Sequence, residues 1–138
     1  MQDHRLYQVN NSQKNVEVRK MEVNYSKKVL HNNERTALTR RLLGEQGKAF
    51  TKIQEIAFQD GAISQKQKEL TAFGIALGVQ DIDTAICYLD LAIKSGALPQ
   101  EIKEITSIVL VMTGSVSLIA VGKVTEAAEH FFFERWYS

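Results

Sequence analysis

An all-α fold, a helical bundle around a central antiparallel hairpin, is predicted by three observations. Apolar residues recur at spacings of three and four from about Glu34 onward, capping residues punctuate that pattern at helix-length intervals, and strand-like alternation is confined to the first thirty-five residues. In that first part Leu6-Tyr-Gln-Val precedes the turn-rich Asn10-Asn-Ser, and Val16 to Tyr25 alternates apolar and polar in part. Residues 1–35 therefore read as a short hairpin or as an arm, either mobile or packed on a neighbouring subunit, and residues 36–138 as the helical domain.

Each helical element follows from its own residues. Leu38, Leu42 and Leu43 start one stripe, and Ala49, Phe50, Ile53, Ile56 and Ala57 make a second, with Gly44 and Gly47 marking the break. Asp60-Gly-Ala ends that helix. Ser64 with Gln67 three residues on has capping-box spacing, so a new helix begins there and turns Leu70, Phe73 and Leu77 inward, with Gly74 and Gly78 allowing close helix approach. A fourth helix, from about Asp81 to Lys94, carries Ile82, Ala85, Ile86, Leu89 and Ile93, and Gly96 stands where a left-handed cap belongs. Pro99 suits the first turn of the next helix, which presents Ile102, Ile105, Ile108, Val109 and Met112 to the core and stops near Thr113-Gly114-Ser115. The last helix, from about Ser117, carries Leu118, Val121, Val124 and Ala128 and ends in Phe131-Phe-Phe-Glu-Arg-Trp-Tyr. So many aromatics require cover, from the bundle or from a partner subunit.

Composition narrows the function classes. At 138 residues the chain is one domain by length, with seventeen Lys and Arg against sixteen Asp and Glu. This balance gives no field for nucleic acid or an anionic membrane, and the pairs Lys27-Lys28 and Arg40-Arg41 read as solvated helix faces. The longest strongly apolar stretch, Ile108 to Met112, is short of a membrane span, and the N-terminus lacks an apolar signal core. A cytoplasmic protein is expected. The single cysteine, Cys87, excludes an intrachain disulfide, and with His4, His31 and His130 scattered, neither a metal site nor a cofactor is expected.

Asp60-Gly-Ala, Lys68-Glu69-Leu70, Lys94-Ser-Gly-Ala-Leu-Pro-Gln-Glu-Ile and Val111-Met-Thr-Gly-Ser occur in an order and spacing that resembles the carboxymuconolactone decarboxylase and alkyl hydroperoxidase D-like family, across roughly residues 46–131. The resemblance implies an all-α scaffold, a pocket beside the fourth helix, and assembly as a homotrimer or homohexamer. In the thiol-dependent branch a glutamate is followed by Cys-x-x-Cys and then histidine. That register here reads Glu69, Asp81, Thr84 and Tyr88, so the acid is present and the dithiol and histidine are not. A dithiol peroxidase needs one thiolate to attack and a second thiol to resolve the sulfenic acid, which Asp81 and Thr84 cannot supply. The glutamate and histidine of the lactone-decarboxylating branch are also absent from the Thr84 and Tyr88 positions.

Helical geometry places Asp81, Thr84 and Tyr88 within an arc of about 60°, a polar strip beside the apolar stripe. With Glu69 facing it, the strip offers carboxylates, a hydroxyl and a phenol around one small cavity: Glu69 and Tyr88 as candidate catalytic residues, Asp81, Thr84 and Cys87 as candidate ligand contacts. The structural alternative has Asp81 capping the helix, Thr84 facing its backbone, Tyr88 bonded to Glu69, and Cys87 as a small core residue with a raised pKa. Three functions follow in order: a homo-oligomer that binds or transforms a small organic molecule without a redox dithiol, with lyase-like or hydrolase-like chemistry open to it; a peroxidase using Cys87 alone; or a non-catalytic structural oligomer.

Overall fold

The computed structural model describes residues 23–137. Helix α1 spans Tyr25–Leu43, and its first turn is closed by Asn24, whose side-chain oxygen accepts the Lys27 N–H at 3.0 Å. Its start at Tyr25 precedes the onset of apolar periodicity near Glu34, so the helix crosses the expected 35/36 boundary. Tyr25 and Val29, one turn apart, are both buried in the core, a pair too short to register as a period. The expected segment at Leu6 to Ser12 and most of the Val16 to Tyr25 alternation lie outside the described residues.

Gly44 joins α1 to α2, Glu45–Phe58. Helix α3 spans Gln65–Gly78 and is capped as expected, with Ser64 Oγ accepting the Gln67 N–H at 3.2 Å. Helix α4 spans Ile82–Lys94 and ends in a Schellman motif: the Ala97 N–H reaches the Ala92 carbonyl and the Gly96 N–H the Ile93 carbonyl, with Gly96 at φ 101°. Helix α5, Pro99–Thr113, leads through a 3-10 turn at Gly114–Ser117 into α6, Leu118–Tyr137.

The core lies where α3 and α4 pack as a hairpin and α5, α6 and the start of α1 close around them. Leu70, Phe73 and Leu77 meet Ala85, Ile86, Leu89 and Ile93, with Ile102, Val109, Val124, Phe131 and Phe132 completing the cluster. A Cβ at Gly74 would stand 3.1 Å from Ile105 Cγ2, so α5 approaches α3 as closely as its side chains allow. At the turn into α6, Ser117 is fully buried and bonded to Gln80 Nε2 at 2.9 Å and Thr113 Oγ1 at 2.6 Å. Arg135 on α6 donates to the Ile93 carbonyl at the end of α4.

The apolar stripes are wider than the core they serve. Ile102 and Val109, two turns apart, form the buried line of α5, whereas Ile108 and Met112, expected inside, are exposed, as is Leu118 on α6. Leu38, Leu42, Leu43, Phe50, Ile53 and Ile56 on α1 and α2 are exposed as well. A single helix meets the bundle along one narrow face, so residues flanking that face stay outside. Counted across the 3-10 turn, Pro99–Trp136 contains an 18-residue window of mean hydropathy 2.1, long and apolar enough by composition to cross a membrane and only 17% buried. That window is far longer than Ile108 to Met112, because small and hydroxyl residues interrupt the apolar run without adding charge.

Candidate functional site

Helix α4 presents Tyr88 and Cys87, both half-buried, toward a seam between the α3–α4 hairpin and the α1–α2 pair. Phe58, at the end of α2, stacks on the Tyr88 ring with centroids 5.3 Å apart and planes 17° from parallel. Gln54, one turn earlier on α2, is a hydrogen-bond partner of the phenol, and the Arg40 guanidinium and Glu69 carboxylate both act on it electrostatically. Burial is the largest influence and pushes the Tyr88 pKa up, Glu69 and Cys87 add to it, and Gln54 and Arg40 oppose it. The phenol is therefore a neutral hydrogen-bond donor at physiological pH.

Glu69 is 3% exposed. Its Oε1 accepts from Gln65 Nε2 at 3.0 Å, while Oε2 is buried without a partner. The Tyr88–Glu69 bond of the structural alternative is not made: the phenol's hydrogen-bond partner is Gln54, and Glu69 Oε2 is left without one. Arg40 Nη2 donates to Gln54 Oε1, tying α1 to α2, and Arg40 Nε is likewise buried and unpartnered. The two helices come this close because residue 47 is glycine: a Cβ there would lie 2.2 Å from the Arg40 carbonyl oxygen.

Cys87 lies beside Asn32 of α1, whose side chain acts to lower the thiol pKa. Burial and the carboxylates of Asp83, Asp90 and Asp81 outweigh this, so the pKa is raised overall. Asp81 and Thr84 bond to each other rather than to Glu69 or Tyr88. Asp81 is the N-cap of α4, its Oδ1 accepting the Thr84 N–H at 3.2 Å and its Oδ2 the Thr84 hydroxyl at 2.7 Å. Each satisfies the other at the exposed start of the helix, the capping alternative raised by the sequence.

The structure therefore groups Glu69, Tyr88 and Cys87, and adds Asn32, Arg40, Gln54 and Phe58, which the sequence had not marked. Arg40 had read as a solvated helix face. The one available signal was the glycine seven residues later, which lets α2 come up against the Arg40 backbone.

The fold is that of a known class. A carboxymuconolactone decarboxylase family protein from Legionella pneumophila is similar over 78% of this chain and 96% of its own, at 26% identity and a TM-score of 0.72. Two crystal structures of a Thermotoga maritima protein match at TM-scores of 0.65 and 0.62, with 20% and 23% identity, over 76% and 73% of this chain and 99% and 93% of theirs. That protein is described as a carboxymuconolactone decarboxylase family member for which an antioxidative role is suggested. No family model matches the chain, and no curated protein matches it. Together with the motifs at Asp60, Lys68, Lys94 and Val111, the likenesses support membership in the carboxymuconolactone decarboxylase family.

Proposed function

We propose that the chain binds a small organic molecule in the seam between α3–α4 and α1–α2, and does so without a redox dithiol. The observation that carries this reading is the Glu69 carboxylate, almost wholly buried and bonded through only one of its oxygens, beside a neutral Tyr88 phenol. Unpaired buried carboxylate oxygens are costly, and an occupant that donates to Oε2 would remove the cost. Glu69 is the proton acceptor in this arrangement and Tyr88 the donor, a pairing suited to lyase-like or hydrolase-like proton transfer. A thermal-shift screen of small carboxylic acids, lactones and aromatic acids tests it. A hit that stabilises the wild type and loses its effect in Glu69→Gln and Glu69→Leu supports the reading, and a hit that stabilises all three equally removes Glu69 from the site.

We further propose a cytoplasmic homotrimer or homohexamer. Its support is the apolar surface of Ile108, Val111, Met112, Val116, Leu118 and Ile119, with Val111 84% exposed in the single chain. The raised thiol pKa of Cys87 weighs against a peroxidase based on that residue, since attack on a peroxide requires the thiolate.

A further inference from the structure

The cleft between α1 and α2 has a volume of about 480 Å³ and is lined by Arg40, Arg41, Lys48 and Lys52 against one acid, Glu55. Local structure accounts for only part of this charge. Arginines in the last turn of α1 complement the carbonyl end of that helix. Lys48 and Lys52 have no such reason to be there: they lie one turn apart on α2, where like charges repel, and Lys48 stands near the positive end of the helix. Nor does the protein neutralise the group. Arg40 donates to the uncharged amide of Gln54, and Lys48 meets Glu45 at 3.2 Å in a pair that is 79% and 90% exposed and therefore weak. Arg41 and Lys52 have no acidic partner among the described residues.

We propose that this cleft binds a small molecule carrying a phosphoryl group. The site is separate from the seam, with which it shares only Arg40, and does not rest on the reading of the seam. Four cations against one acid call for a ligand with more than one negative charge. A phosphoryl dianion spreads that charge over three oxygens that point apart, so it can accept from the arginines of α1 and the lysines of α2 at once. A carboxylate carries one charge on two oxygens in one plane. Arginine forks take phosphate oxygens in pairs, and lysines add compact charge. The volume lies in the range of small-ligand pockets. A nucleic acid would need a basic surface running well beyond the cleft, and seventeen basic against sixteen acidic residues leave little excess for one.

The test is calorimetry on the full chain at low salt, with pyrophosphate and phenyl phosphate as probes and malonate, a dianion without phosphorus, as the control. Both phosphoryl probes are expected to bind saturably, tighter than malonate, and to weaken as salt is added. Arg41→Gln and Lys52→Gln, both at exposed positions outside the seam, should each weaken binding about tenfold, the worth of one charged hydrogen bond. Lys103→Gln, exposed on α5 and outside the cleft, should leave it unchanged. Melting curves check that the variants keep the fold. Malonate binding as tightly as phenyl phosphate overturns the phosphoryl assignment. Absence of saturable binding, or an equal loss in Lys103→Gln, overturns the site itself. A short single-stranded oligonucleotide that displaces pyrophosphate at a lower concentration of phosphate overturns the small-molecule reading in favour of nucleic acid.

Discussion

The α3–α4 hairpin and the α1–α2 pair are built from similar helices and solve opposite problems. The hairpin buries its apolar residues, with Phe73, Leu77 and Leu89 fully inside, and closes its ends with Ser64, Asp81 and the Gly96 motif. The α1–α2 pair leaves Leu42, Phe50 and Ile53 exposed, yet contributes Arg40, Gln54 and Phe58 to the seam. One pair supplies the fold and the other most of the polar chemistry around Tyr88. Burial of apolar side chains and placement of reactive ones are separate tasks, assigned here to separate parts of the chain.

The sharpest break of this comparison is a matched pair of truncations. Leu89→Ala should cost about 2 to 5 kcal/mol in denaturant unfolding, the range for a fully buried leucine, whereas Leu42→Ala should stay within about 0.5 kcal/mol for the isolated chain. A larger cost at Leu42 that grows with protein concentration would mean that subunit contacts complete the α1–α2 surface. Light scattering on Val111→Asp tests the other exposed face, with a fall from a trimeric or hexameric mass to that of a monomer as the expected outcome. Smaller still, Asp81→Ala should cost about 1 kcal/mol through loss of the α4 cap and leave ligand stabilisation unchanged. An effect on binding would return Asp81 to the site.

A pH measurement sharpens the role of the α1 start. Burial, followed by the bond to Glu126, raises the Tyr25 pKa from 10.0 to about 12. The unfolded chain therefore loses this proton first, so the contribution of Tyr25 is whole below pH 10 and is lost as pH rises toward 12. Tyr25→Phe should remove that part of the alkaline decline, visible as a flatter melting temperature between those pH values. The smallest expected effect is at Cys87, where the wild type and Cys87→Ser should both show hydroperoxide turnover no higher than a denatured control, and wild-type turnover abolished by the substitution would restore the single-thiol peroxidase.

Much of the hairpin was legible because its signals are local. Ser64 and Asp81 announce helix starts within three residues, and Leu70, Phe73 and Leu77 repeat within two turns. Glu69 and Tyr88 could be paired only through the family register, and Gln54, which bonds to the phenol, lies on another helix. Arg40 was not legible: its partner Gln54 is fourteen residues away on another helix, and the close approach of the two helices depends on the missing side chain of Gly47. Ile108, Met112 and Leu118 were misplaced for a different reason. Apolar periodicity marks residues that need cover without saying whether the chain itself or another surface provides it.

The bond from Arg135 to the Ile93 carbonyl makes the far end of the chain a reporter on its middle. A guanidinium set against the carbonyl end of a helix complements both its unsatisfied acceptors and its dipole. The last turn of α4, the helix that carries Cys87 and Tyr88, is thus held by a residue in the last turn of α6. A bulky group introduced into that last turn of α6 would sit beside this clasp, so material left unaltered there is the better choice for judging what the seam binds.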